Sequence, residues 1–189
     1  GVLYKLDAND GSLIWEKTIP YNIGFMGGTD MHASPTIADG MVFASSNAGT
    51  YYGINAATGS TEWTYSNNAS EEFILCSTIY TQGRLFLVDK FSIVCVNAKN
   101  GSCIWNAYLG DEMYVSPSYA DEKLYAVTDQ RHIFVLNSTN GEKLSFFTTG
   151  SNSWSAATIY EGRVYAGNND WNVYCLADYP ALTSDITLS

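Results

Sequence analysis

Basic residues are scarce in this 189-residue chain: nine Lys and Arg face nineteen Asp and Glu, a formal net charge of −10. So acidic a chain repels phosphate backbones, and nucleic acid is excluded as an expected partner. Histidine is scarcer still, at two residues. The four cysteines, Cys76, Cys95, Cys103 and Cys175, form neither a CxxC nor an adjacent pair. Without a cysteine pair or a histidine cluster, a zinc site is not expected. No run approaches the ~18 consecutive apolar residues that a membrane-spanning helix needs. No secretory signal is legible at Gly1, so the chain reads as mature or as cut from something longer. Charged residues make up only 15% and hydrophobic ones 46%, which is too apolar for disorder.

What is present is β-forming. Tyrosine is abundant at 14 residues, and Thr, Ser and Asn are frequent, without the Glu/Lys/Ala patterning of helices. Three Asn-x-Ser/Thr triplets, at Asn68, Asn100 and Asn137, are compatible with an exported chain. The chain also repeats itself. Leu6-Asp-Ala-Asn-Asp-Gly-Ser-Leu-Ile-Trp15 recurs as Ile54-Asn-Ala-Ala-Thr-Gly-Ser-Thr-Glu-Trp63 and as Val96-Asn-Ala-Lys-Asn-Gly-Ser-Cys-Ile-Trp105. A fourth copy begins at Leu136 and keeps the frame, but Ser145 stands where Trp is expected. The marker glycines Gly11, Gly59, Gly101 and Gly141 lie 48, 42 and 40 residues apart. Ahead of each later marker comes an alternating strand, at Met41–Ala44, Arg84–Leu87, Lys123–Ala126 and Arg163–Ala166. Ahead of that comes a Ser-Pro-like element, aligned as Ser34-Pro-Thr-Ile37, Cys76-Ser-Thr-Ile79, Ser116-Pro-Ser-Tyr119 and Ala156-Ala-Thr-Ile159.

Four short strands in about forty residues is the period of a β-propeller blade. The sequence therefore predicts an all-β propeller of four-stranded antiparallel blades. Its units are read as 1–28 (partial), 29–70, 71–110, 111–150 and 151–180 (partial), about four and a half blades. Within each marker, Asp or Asn with Gly supplies a tight turn that uses positive φ. The following Trp15, Trp63 and Trp105 are read as structural. Each indole buries ~150–250 Å² by packing over the neighbouring blade's turn.

The stretch from a small residue through Asp/Asn and Gly to Trp resembles the tryptophan-docking motif of pyrroloquinoline-quinone (PQQ)-type propellers. Gly53, Asn55, Thr58, Gly59 and Trp63 match that motif best, and the other copies follow with Asn100 or Asp10 in place of Thr. The family favours Ala where Cys95 and Cys175 stand, so both read as buried small thiols. Cys95 and Cys103 flank one hairpin turn, where a cross-strand disulfide is conceivable. Relatives commonly close with seven or eight blades. The resemblance therefore implies a fragment of a larger ring, or a half-ring that self-associates.

Propellers bind on the axis, at the loops entering each innermost strand. In the alignment above those loops carry Asp30, Glu72, Glu112 and Asn152, with Glu71 and Asp111 adjacent; two places on stand His32, Ile74, Tyr114 and Trp154. Asp30, Glu72, Asp111 and Glu112 are the candidate ligands for a hard cation such as calcium. His32, Tyr114 and Trp154 are the candidates for stacking a flat ligand or a peptide side chain. The bland alternative makes the acids solvated loop residues and His32 a hydrogen-bonded structural residue. His132, in Asp129-Gln-Arg-His, reads as part of an outer turn.

Three functions follow. The first is a non-catalytic, extracytoplasmic propeller that binds a protein or peptide partner, as the resemblance to outer-membrane barrel-assembly lipoproteins implies. The second is a ligand- or cation-binding sensor. The third is a fragment of a quinone-dependent alcohol or sugar dehydrogenase, for which PQQ and calcium would be the cofactors. Many alcohol-oxidising members carry an adjacent Cys-Cys pair, which this chain lacks.

Overall fold

A computed structural model describes residues 1–19, 33–46, 49–66 and 76–177. Every regular element among them is a β-strand. The first sheet pairs β1 (Val2–Leu6) with β2 (Leu13–Thr18). Three four-stranded antiparallel sheets follow. They comprise β3 to β6 (Thr36–Ala38, Met41–Ser45, Thr50–Asn55, Thr61–Ser66), β7 to β10 (Ile79–Thr81, Arg84–Asp89, Ser92–Asn97, Cys103–Tyr108) and β11 to β14 (Ser118–Ala120, Lys123–Val127, His132–Asn137, Lys143–Thr148). The fifth sheet holds β15 to β17 (Thr158–Tyr160, Arg163–Gly167, Val173–Ala177). Each sheet is a meander in which sequence neighbours are spatial neighbours. The chain is thus a β-propeller of successive blades.

The first turn of each blade is a two-residue hairpin with both residues at positive φ: Asp39-Gly40, Gln82-Gly83, Asp121-Glu122 and Glu161-Gly162. This geometry matches the right-handed twist of the strands it joins. The marker turn is built by its own side chains. Asp7, Asn55, Asn97 and Asn137 each accept the backbone N–H two residues on, at 2.8–2.9 Å. Their backbone carbonyls accept from Gly11, Gly59, Gly101 and Gly141. The next variable position accepts again: Asp10, Thr58, Asn100 and Asn140 each take the N–H of the residue two places on. Asp, Thr and Asn interchange there because each offers an oxygen at that reach.

The core is divided among the junctions between blades. Val42, Ala44, Tyr52 and Ile54 pack against Leu3 and Trp15 of the first blade. Leu85, Leu87, Val94 and Val96 pack with Phe43, Tyr51 and Trp63. Leu124, Ala126, Phe134 and Leu136 pack with Phe86, Cys95 and Met113. Val164 and Ala166 close against Tyr125, Val127 and Ile133. Each fully buried Leu, Val or Ile contributes about 1.5–3 kcal/mol.

Strand register corrects one alignment made on sequence. Thr36, Ile79, Ser118 and Thr158 stand opposite Phe43, Phe86, Tyr125 and Tyr165. The third blade's element therefore aligns as Ser77-Thr-Ile-Tyr80, one residue later than Cys76-Ser-Thr-Ile79. The Ser-Thr and Thr-Ile pairs that recur in both frames hide the slip in sequence.

Candidate functional site

The docking motif is assembled from two blades at a time. The Trp15 indole N–H donates to the Ala56 carbonyl at 3.1 Å, Trp63 to Ala98 at 2.9 Å and Trp105 to Ser138 at 3.2 Å. The N–H groups of Ala56, Ala98 and Ser138 donate to Gly40, Gly83 and Glu122 in the first hairpin of their own blade. Each of these three residues therefore pins its own marker turn with one polar group and the preceding blade's indole with the other. The rings lie over the receiving glycines: a Cβ on Gly59, Gly101 or Gly141 would stand 3.0, 2.6 or 2.7 Å from the nearest indole atom. Gly11 has no ring above it.

The inner edge is a hydroxyl belt. The Ser34 N–H donates to Ser77 Oγ at 3.1 Å and the Ser77 N–H to Ser116 Oγ at 2.9 Å. Thr36 Oγ1 donates to the Thr78 carbonyl at 2.8 Å, and Ser118 Oγ donates to the Ala157 carbonyl. These bonds link β3, β7, β11 and β15 in sequence along the axis.

Antiparallel alternation puts the marker turns at one end of the blades and the blade-entry loops at the other. Asp30, His32 and Glu72 lie outside the described residues. Asp111, Glu112, Tyr114 and Trp154 are described and share the loop end.

Glu112 and Tyr114 meet directly: the phenol O–H donates to Glu112 Oε2 at 2.6 Å. Lys90 Nζ of the preceding blade lies 3.2 Å from Glu112 Oε1. The Tyr114 bond, with Lys90 second, lowers the Glu112 pKa. The same carboxylate raises the phenol to about 12, because ionisation would put a second negative charge beside the first. Asp111 is engaged elsewhere. Its Oδ2 accepts from Thr128 Oγ1 at 2.8 Å and stands 2.6 Å from His132 Nδ1. His132 is the first residue of β13, not a loop residue, and its ring also meets Phe134 and Phe146. No sequence pattern joins this pair, since 21 residues separate its members.

Trp154 is 70% exposed, and its indole N–H donates to Asp129 Oδ1 at 2.8 Å. Asn152 Nδ2 donates to the same oxygen at 3.0 Å, and Asn169 Nδ2 donates to Asn152 Oδ1 at 2.9 Å. Two residues past Asn169, Trp171 is 99% exposed with its backbone at φ +69°. Asp129 and its turn were missed on sequence, because their column appears only once the loops are folded together.

Chemically, these acids are committed to neighbours. Among the described residues no three His, Cys, Asp or Glu side chains converge as a metal site. All four thiols are free, which overturns the conceivable Cys95–Cys103 bridge: Cys95 is buried in the sheet and Cys103 is exposed on the adjacent strand. No described helix is long and apolar enough to cross a membrane.

Known proteins agree with this fold. BamB from Moraxella catarrhalis superposes with a TM-score of 0.77 at 19% identity, covering 94% of this chain and 52% of that one. A europium-containing methanol dehydrogenase superposes at 0.74 and 12% identity, covering 93% and 45%. A tetrathionate hydrolase of Acidithiobacillus ferrooxidans is 23% identical over 157 residues, which is 69% of this chain and 32% of that protein. The chain therefore spans about half of each solved structure and a third of the curated relative. The family model described as "Outer membrane protein assembly factor BamB" matches residues 1–80 and 74–178, and to that PQQ-like repeat family this chain belongs.

Proposed function

We propose that the chain is a non-catalytic interaction module, extracytoplasmic in location, whose partners dock on its uncovered blade face and on its loop end. The observation that carries this reading is a difference between equivalent repeat positions. Tyr4 and Leu6 of β1 are 55% and 53% exposed. Their counterparts Tyr52 and Ile54 are 8% and 0% exposed where a preceding blade covers them. The first blade thus presents a face whose counterparts in the second, third and fourth blades are buried, and Val2 extends it. Contiguous apolar surface of this kind marks an interaction site. The chain spans about half of BamB, and a further blade, whether from a longer stretch of the same chain or from a second copy, would cover this face. At the other end, the exposed Trp154 and Trp171 belong to the residue types enriched at binding hot spots.

Light scattering behind size exclusion tests the reading. The 20.7 kDa chain is expected to run at about twice its mass. A Tyr4→Asp/Leu6→Asp variant should return to one copy with an unchanged β-sheet spectrum. A strict monomer at every concentration, with no apolar dye bound at that face, would overturn the proposal.

The sensor reading has less support, because Glu112 already holds Lys90 and Tyr114. The dehydrogenase reading rests on fold likeness alone, which does not carry activity.

A further inference from the structure

The junction between the fourth and fifth blades lacks the indole found at the other three. Ser145 takes the Trp position and stands opposite Val135 in register, as Trp63 stands opposite Gly53 and Trp105 opposite Cys95. A shallow cleft, open to solvent, remains there. Its walls include Tyr125, Val135, Ser145, Phe147, Val164 and Leu176.

Those walls repeat the ring-bearing side of the indole slots of the earlier junctions; the fifth blade's turn at the receiving position lies outside the described residues. Phe43 lies 5.9 Å from the Trp63 ring and Phe86 lies 5.7 Å from the Trp105 ring, centroid to centroid. Tyr125 occupies the same repeat position, since it pairs with Val135 as Phe43 pairs with Gly53 and Phe86 with Cys95. The floor is apolar: Ile133 and Val164 line the cleft and are almost fully buried. Phe147 supplies the junction's ring contact two residues further along, against Tyr174 at 5.5 Å, and so leaves the Ser145 level open. The cleft continues the series of blade interfaces, and this molecule itself shows what such a slot accepts.

We propose that the cleft is a binding site for a small planar bicyclic aromatic of the indole class, inserted between the fourth and fifth blades at the level of Ser145. Apolar surfaces lined by Leu, Ile and Phe favour aromatic guests. The ligand would make the contact with Tyr125 that Trp63 makes with Phe43. Its flat face would replace apolar area that Ser145 does not supply.

Indole and 3-methylindole are the probes, titrated into the intact chain by calorimetry and by methyl NMR. Saturable binding is expected, with shifts at Val135, Val164 and Leu176 and none at Val42 or Val96 of the filled junctions. Ser145→Trp should fill the slot from within, raise the melting temperature and weaken indole binding at least roughly tenfold. Ser145→Leu, a smaller plug, should weaken binding as well and guards against a misfolded Trp variant. No saturable binding up to the solubility of indole, shifts spread over all junctions, or undiminished binding in a folded Ser145→Trp protein would each overturn the proposal.

Discussion

The indole of Trp63 lies flat over Gly101, in the marker turn of the next blade, so closely that a Cβ there would sit 2.6 Å from the ring. The backbone of Gly101 is also left-handed, at φ +71°. Gly101→Ala therefore meets two penalties: about 1–2 kcal/mol for the left-handed backbone and about 1–3 kcal/mol for overpacking. Gly11 has the same backbone, at φ +74°, but no ring above it, so Gly11→Ala should cost only the first. Trp63→Ala, which empties the slot, should cost about 3–5 kcal/mol. Urea unfolding of the three variants checks the order. Equal losses at Gly11 and Gly101 would mean that ring packing contributes nothing.

The marker's variable position makes a gentler prediction. Asn100 accepts the Ser102 N–H at 3.0 Å, as Asp10 and Thr58 accept in their own turns. Asn100→Asp and Asn100→Thr should each stay within about 0.5 kcal/mol of the parent. Asn100→Ala should lose about 1 kcal/mol, the net value of one hydrogen bond. A Thr variant as damaging as Ala would show that the oxygen is not what the turn requires.

These turns explain how much of the fold was legible in the sequence. The marker repeats because each of its residues does local work: Asn97 folds its own turn, Gly101 yields to a ring, and Trp105 reaches one blade on to Ser138. Such periodic demands leave a periodic trace. The loop end leaves none. Asp111 finds His132, and Trp154 finds Asp129, across 21 and 25 residues of unequal loops. Among the described candidates, Glu112 and Tyr114, two residues apart, form the contact that lies within a single loop and joins neighbouring columns of the alignment. The slip at Cys76-Ser77 has the same origin: small polar residues recur there, and only strand pairing tells Ile79 from Thr78 as the partner of Phe86.

The thiols divide by environment. Burial pushes the Cys76 thiol up to about 12 and Cys95 to about 11. Cys103 is exposed on β10. Since the thiolate is the reactive form, Cys103 should react with an aromatic disulfide reagent at mildly alkaline pH. Cys76 and Cys95 should react only after unfolding. Cys103→Ser should remove the fast phase without slowing the rest. A fast phase that survives this change would place a reactive thiolate at Cys175 or in the core.

The Glu112–Tyr114 pair gives opposite pH responses at its two ends. The lowered Glu112 pKa stabilises the fold above the unfolded carboxyl value near 4.3, and that contribution fades as pH falls through the folded value. The raised phenol works in the other direction. Its contribution is complete below the unfolded tyrosine value near 10 and is lost as pH rises through about 12. Both groups are partly exposed, so each contribution is modest and screened by salt. Carbon-13 NMR of labelled tyrosine, with Tyr114→Phe for assignment, should find this phenol titrating near 12. Glu112→Gln removes the neighbouring charge and should bring Tyr114 back toward 10. It should also free Lys90 from its ion pair at the blade junction. A parent Tyr114 that already titrates near 10 would mean that the carboxylate and phenol do not meet in solution. The loop end would then lack the direct contact between Glu112 of its acidic column and Tyr114 of its aromatic one.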